Sequence, residues 1–458
     1  MNFVILTVTN FCIILTVIMI NLQAALAQRL DEAISADLGA AVGTRRDIRL
    51  PKVPGKAHAV IGRRRAGKTT FLCQCLKDRL DQGRPRESLV LVGLEDDRLA
   101  GLEVAHLDWL LEEYFRRCPA FRRKERVTLC LDEVQTVPGW ERFARRVVDT
   151  ELVDLFLSGS SARLLSREVA TAFRGRALEV LVHPFSFREA LRHAGKEPAA
   201  PWERLSPADR SALDHELRRY LEVGGFAEAQ GLDARDRGAL LRTYVDATVL
   251  RDVIERHAVS NPVALRWMQR QLLSTPAGGF SVQKLFGTMR SQGIAVGKDT
   301  LHQYLSHLED SFLIRTVSLH TASERQRMVN PRKVYPVDPG LIGVYARAGP
   351  QTGHALETAV ALELERRGYD IGYLKTGEDW EVDFFASGPG RETLLIQVAA
   401  DARHPETLER EVRPLLTALE TYADTPALLV TLDSAPPPVG LPDKIQWWPA
   451  TRWLLETM

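Results

Sequence analysis

The chain has 458 residues, 45% hydrophobic and 26% charged, which is too long for one ordinary core and sets an expectation of two or three domains. Its 60 Lys and Arg against 59 Asp and Glu leave a net charge of +1, excluding a polycation, so any nucleic-acid contact has to come from a local patch. Of the five cysteines, Cys73 and Cys75 sit one residue apart in an apolar helix pattern with no His nearby, which fits neither a zinc site nor a redox pair and reads as buried thiols in a reducing compartment.

Asn2 to Ala27 carry no charged side chain and include the apolar run Phe11 to Ile20. That length can cross a bilayer, and Ala25-Leu26-Ala27 looks like a signal-peptidase site, but no basic region precedes it. Arg29, Arg45 and Arg46 follow, so the positive-inside rule keeps the downstream chain in the cytoplasm. Two readings of residues 1–27 stay open here: a single inner-membrane anchor, or a mis-assigned start codon. Residues 28–56 read as a polar, helix-permissive lead-in ending in Pro51 and Pro54-Gly55.

From Ala57 onward strands alternate with helices. Strand candidates are Ala57 to Ile61, Ser88 to Val92, Val127 to Leu131, Leu152 to Leu157 and Leu178 to Val182, with helical patterns at Leu107 to Arg117 and Trp140 to Asp149. That alternation predicts an α/β domain with a mainly parallel sheet over 57–190. Between the first strand and its helix lies Gly62-Arg63-Arg64-Arg65-Ala66-Gly67-Lys68-Thr69, a complete G-x-x-x-x-G-K-[ST] pattern. Its glycines let backbone N–H groups turn inward around phosphate, Lys68 reaches the β- and γ-phosphates, and Thr69 offers a hydroxyl to Mg²⁺. The expected nucleotide set is Gly62, Arg65, Ala66, Gly67, Lys68, Thr69 and Thr70, with ATP and Mg²⁺ as ligands; the side chains of Arg63, Arg64 and Arg65 receive no role. The apolar run Val127 to Leu131 then ends in Asp132-Glu133, where Asp132 can hold the Mg²⁺ shell and Glu133 can polarise the attacking water.

Leu131-Asp132-Glu133-Val134-Gln135-Thr136-Val137-Pro138-Gly139-Trp140-Glu141 resembles the Walker B region of bacterial and archaeal AAA-type ATPases that carry a C-terminal restriction-endonuclease-like domain. Phe156 to Ala162 resembles their next strand and implies Ser158 as the sensor 1 position. Phe173-Arg174-Gly175-Arg176, followed by His183-Pro184-Phe185-Ser186-Phe187-Arg188-Glu189, resembles their arginine-bearing loop. It implies Arg176, or else Arg174, as the charge that stabilises the γ-phosphate in the transition state, in its own subunit or on a neighbour in a homo-oligomer. Tyr220-Leu221-Glu222-Val223-Gly224-Gly225-Phe226 resembles a further landmark, and the resemblance runs over roughly residues 57 to 430.

A helical region over 191–260 precedes a module at 261–345 in which a short helix from Phe280, a turn at Gly293 to Gly297, the helix Lys298 to Glu309 and the strand Phe312 to Val317 make a winged-helix pattern. Asp299 or Thr300 can cap the second helix, and Leu301, Leu305 and Leu308 form its apolar stripe. Lys298, His302, Gln303, Ser306 and His307 make a polar, weakly basic face suited to DNA or to a protein partner. In 346–458 a helix at Glu357, a strand at Asp383 and a strand at Gln397 follow the order of the nuclease-like domain of the same resemblance. The lysine that such a nuclease needs is Ala399 here, with Lys375 the nearest substitute, which argues against nuclease chemistry. Three functions follow: an ATPase that controls C-terminal modules, a slow nucleotide-dependent scaffold, or an ATP-regulated nuclease.

Overall fold

The computed structural model describes every residue except 1–20, 40–42, 161–174, 347–350, 378–379, 438–439 and 457–458. The chain divides into two compact units, one of residues 1–62 and 67–182, the other of residues 63–66 and 183–458.

The first unit is built on five parallel strands, β1 (Ala57–Ile61), β2 (Leu89–Gly93), β3 (Val127–Asp132), β4 (Val153–Gly159) and β5 (Ala177–Leu181), in the order β2-β3-β4-β1-β5. The apolar runs follow from burial on both faces: all five residues of β1 and all six of β3 are buried, as a parallel sheet covered by helices requires. In such a sheet all strands end at one edge. The loop after β1, the acids ending β3 and the tip of β4 therefore meet there. The helices expected near Leu107 and Trp140 form as Val104–Arg117 and Trp140–Thr150.

The N-terminal segment departs from the expectation. Residues 21–35 are helical, and Leu22, Leu26, Leu30 and Ala33 form one buried stripe, with Leu26 and Leu30 at 0% and 1% exposure. Leu30 lies among Val90, Val92, Leu110, Tyr114, Leu129 and Phe143. Arg86 donates from Nη2 to the carbonyls of Ala33 and Ala36, both at 2.8 Å, and so closes the end of this helix. Residues 2–20 of the expected anchor lie outside the described residues. Residues 21–27 do not extend it, because their apolar face is spent on the sheet domain, and 28–35 continue the same helix. Among the described residues no helix is long and apolar enough to cross a membrane.

The second unit carries an eight-stranded sheet made of β6 (Gly279–Phe280), β7 (Ile314–Leu319), β8 (Arg332–Pro336), β9 (Asp370–Lys375), β10 (Glu381–Ser387), β11 (Leu394–Ala399), β12 (Ala427–Thr431) and β13 (Ile445–Pro449). Their order is β13-β12-β11-β10-β9-β7-β8-β6. β9, β10 and β11 form an antiparallel meander, while β12 and β13 add in parallel. The modules expected at 191–260, 261–345 and 346–458 are thus one compact body. β7 pairs β9 through Ser318 opposite Gly372, which satisfies the open edge of the middle strands, and no break falls at 345. One core joins Phe187, Leu217, Tyr335, Leu356, Phe384 and Trp453 across all three stretches.

The Gly224-Gly225 pair has a steric cause within this unit. Gly224 sits at φ +81°, where a side chain would collide with the Asp338 carboxylate, and a Cβ on Gly225 would collide with the Phe185 carbonyl. Asp338 accepts from the Gly225 N–H at 2.6 Å and the Gly340 N–H at 2.9 Å. Burial pushes its carboxyl up to about 6 despite these bonds and the Arg63 charge.

Candidate nucleotide site

Gly62 leaves β1 at φ +148°, where a Cβ would strike the Val182 carbonyl, and Gly67 takes the left-handed conformation (φ 93°, ψ 27°) that starts the helix Lys68–Asp81. These two turns aim the start of that helix at whatever the loop encloses. Lys68 is 5% exposed, its Nζ donating to the Gly62 carbonyl at 3.2 Å and standing 3.3 Å from Glu133 Oε1. Thr69 Oγ1 donates to Asp132 Oδ2 at 2.6 Å, so the two groups expected on Mg²⁺ are neighbours. A hydroxyl and a carboxylate are hard oxygen donors, few enough to leave room for phosphate oxygens and water, and they fit Mg²⁺. Thr70 is half-buried one residue further on.

Glu133 follows β3 in the left-handed region (φ 55°, ψ 49°), an uncommon conformation for a glutamate and one that recurs at functional sites. Its carboxylate, 13% exposed, faces Lys68 and accepts from Gln135 Nε2. Ser158 is fully buried on β4, the strand between β1 and β3. Its hydroxyl donates to Asp132 Oδ1 and accepts from the Glu133 N–H at 3.0 Å. The residues read from the two motifs and the Ser158 position therefore converge at one strand edge.

Arg176 does not join them. It immediately precedes β5, its carbonyl accepts from the Ala57 N–H at 2.8 Å, and its Nε lies 2.7 Å from Asp149 Oδ1. That places it at the start of β1, a strand length of about 16 Å from the phosphate loop. Within its own chain Arg176 is corrected from a phosphate-site residue to the partner of Asp149. Arg174 lies outside the described residues.

Sequence reasoning missed Arg46, which it used only as a topology signal. Arg46 is 5% exposed, and a Cβ built on Gly67 would stand 3.1 Å from its Nη1. Its N–H donates to Gln74 Oε1 at 3.1 Å, and Gln74 Nε2 donates to the Thr44 carbonyl at 2.8 Å, so the helix after the loop braces the segment. The only available signal was a polar Gln74 in an otherwise apolar helix face. Cys73 and Cys75 are buried as expected, Cys130 is buried as well, and burial pushes the Cys75 thiol up to about 12.

Arg63–Ala66, at the apex of the loop, group with the second unit. There the Arg63 guanidinium lies 5.1 Å over the Phe226 ring, Arg64 Nε meets Asp252 Oδ2 at 3.0 Å, and Arg65 Nη1 meets Glu228 Oε1 at 3.1 Å. Asp252, 2% exposed, belongs to a π-helical stretch, Thr248–Glu255, a rare form often found at functional positions.

In the second unit Glu357, on the helix Thr352–Arg366, and Asp383, on β10, meet around one ammonium, that of Lys333 on β8. Gln397 Oε1 accepts from the Asp383 N–H at 3.2 Å, while its Nε2 donates to Glu411 at 2.8 Å. Lys375 is exposed and bonds Asn330, and Ala399 is buried in an apolar cluster, so neither supplies the cation.

Residues 54–191 match the family described as an AAA domain, and residues 214–352 match a domain of unknown function. An uncharacterized protein of Methanocaldococcus jannaschii is 29% identical over 380 residues, covering 82% of this chain and 81% of its own length. An uncharacterized protein of Haemophilus influenzae is 27% identical over 344 residues, covering 74% and 81%. Among solved structures, a Walker-type ATPase of Pyrococcus abyssi aligns with 64% of this chain and 91% of its own at 14% identity and a TM-score of 0.37.

Proposed function

We propose that this chain, whose residues 54–191 are an AAA-type P-loop domain, binds ATP with Mg²⁺ at Gly62–Thr69, hydrolyses it with Glu133 as base, and uses the nucleotide state to control its C-terminal modules. The observation that carries the reading is the convergence of Lys68, Thr69, Asp132, Glu133 and Ser158 at the edge of one parallel sheet. Lys68 offsets phosphate charge, Thr69 and Asp132 orient oxygen ligands, and Glu133 takes a proton from a water aligned on the γ-phosphate. Mg²⁺, when bound, neutralises charge developing on the phosphate oxygens. Ser158 positions Asp132 and the Glu133 backbone without needing to touch the nucleotide. Coupling to the modules is supported by Arg63–Ala66, loop residues that belong to the second unit, where Arg64 pairs with the buried Asp252.

Arg46 places a cation beside Gly67 of the phosphate loop. Arg46→Ala is expected to weaken ATP·Mg²⁺ binding by about 10-fold or more, the scale of one hydrogen bond to a charged group, with Arg46→Lys intermediate. A titration with a fluorescent ATP analogue checks this, and an unchanged Kd would remove Arg46 from the site.

For the modules, DNA is the first target. The helix Val282–Ser291, the helix Lys298–Asp310 and strands β7 and β8 with β6 follow the winged-helix order, with Leu301, Leu305 and Leu308 buried and Lys298, His302, Gln303 and Ser306 exposed. His307 instead stacks on His257 at 3.8 Å, and the second helix begins at Gly297 without the side-chain cap expected from Asp299 or Thr300. Duplex affinity is expected to fall steeply with salt and to drop further in Lys298→Ala/Gln303→Ala. Fluorescence anisotropy measures both, and no duplex binding at low salt would favour the scaffold reading, in which a protein partner replaces DNA. The helix, β9-β10-β11 meander, helix and parallel β12 likewise support a nuclease-like fold for the C-terminal part.

A further inference from the structure

Asp383 and Glu381 alternate with Val382 on β10 and so face the same side of the strand. The helix Thr352–Arg366 brings Glu357 to that side, and β8 brings Lys333. Lys333 Nζ lies 2.8 Å from Asp383 Oδ1, 3.0 Å from Glu381 Oε1 and 3.1 Å from Glu357 Oε1, and Lys333 is 4% exposed. The remaining positions are also occupied. Tyr335 donates to Glu357 Oε1 at 2.8 Å, and Asp383 Oδ2 accepts from the Val398 N–H at 3.0 Å. Three carboxylates from two elements close on one point, and carboxylate oxygens are the donors that a hard divalent ion takes. Here that point is filled by an ammonium.

We propose that Lys333 is the built-in cation of this carboxylate site, standing where a divalent metal would otherwise bind, so that the wild-type protein takes no metal there. Burial opposes a charged lysine, but the charges of Asp383, Glu357 and Glu381 outweigh it and hold the ammonium charged. Burial and the Asp383 charge push Glu357 upward, which relieves the excess of carboxylates over cations. The ammonium is costly to remove, because truncating it leaves the nearly buried Glu357 and Asp383 carboxylates without a counter-charge. The inference is independent of the nucleotide site.

The test uses the full chain without nucleotide, counting bound Mn²⁺ by electron paramagnetic resonance and following thermal melting. Wild type and Asp383→Asn are expected to bind the same amount of Mn²⁺. Lys333→Met is expected to gain one Mn²⁺ that Lys333→Met/Asp383→Asn lacks, and its melting midpoint should rise by about 5 °C or more once Mn²⁺ well exceeds its Kd. Should Lys333→Met not fold in metal-free buffer, recovery of the folded state on refolding with Mn²⁺ supports the proposal, and failure to recover with the ion present overturns it. Asp383-dependent Mn²⁺ binding by the wild type would also overturn it, making Lys333 a neighbour of a metal rather than its replacement. A folded Lys333→Met that gains no Mn²⁺ would do the same.

Discussion

Glu133→Gln is expected to bind ATP·Mg²⁺ with near wild-type affinity while its turnover falls by about 100-fold or more. Glutamine keeps the size of the side chain and an amide oxygen toward Lys68, so the loop geometry and the left-handed turn after β3 survive. What it lacks is the basicity needed to take the water's proton, and loss of one positioned base costs on this scale. Lys68→Ala is expected to fail earlier, at binding, because a buried cation beside the phosphates is removed. Phosphate release and analogue titration together separate the two effects. Turnover unchanged in Glu133→Gln would assign the base elsewhere and leave Glu133 as an ion-pair partner of Lys68. Ser158→Ala is expected between these extremes, since it frees Asp132 Oδ1 and the Glu133 N–H without deleting a reacting group.

Removal of residues 1–27 is expected to destabilise the nucleotide-binding unit. The deletion takes away Leu22 and Leu26 and leaves Leu30 and Ala33 on a shortened helix. Burying one leucine contributes about 1.5–3 kcal/mol, and truncating a buried leucine to alanine typically costs about 2–5 kcal/mol. Two such losses approach the whole stability of an ordinary domain, roughly 5–15 kcal/mol. Leu26→Ala alone is therefore expected to lower the urea midpoint clearly, and the deletion to weaken ATP binding at physiological temperature through unfolding. Denaturation curves of wild type, Leu26→Ala and the deletion test this. A deletion that melts like the full chain would show that the helix contributes no core.

The phosphate site was legible because its chemistry demands particular residues at fixed spacing. A glycine where a Cβ would strike Val182, a lysine and a threonine opening a helix, and acids ending an apolar strand can be read without knowing what lies beside them. The five strands of the first unit were legible for a related reason, since burial on both faces leaves near-continuous apolar runs. The residue-by-residue reading had no comparable hold on Arg176, because pairing of β5 with β1 decides which end of the sheet it occupies, and that pairing is non-local. The same holds for Arg46, brought to Gly67 by a segment without a repeating pattern, and for residues 21–35, whose apolar face reads alike whether lipid or a sheet covers it. Lys333 is the sharpest case. On β8 it is an ordinary strand lysine, and only the packing of β8, β10 and the helix Thr352–Arg366 into one body surrounds it with three carboxylates. The sequence by itself determined the chemistry that local backbone geometry can specify. The tertiary structure decided which distant charges share a buried space, because strand order and helix docking are settled by the whole core.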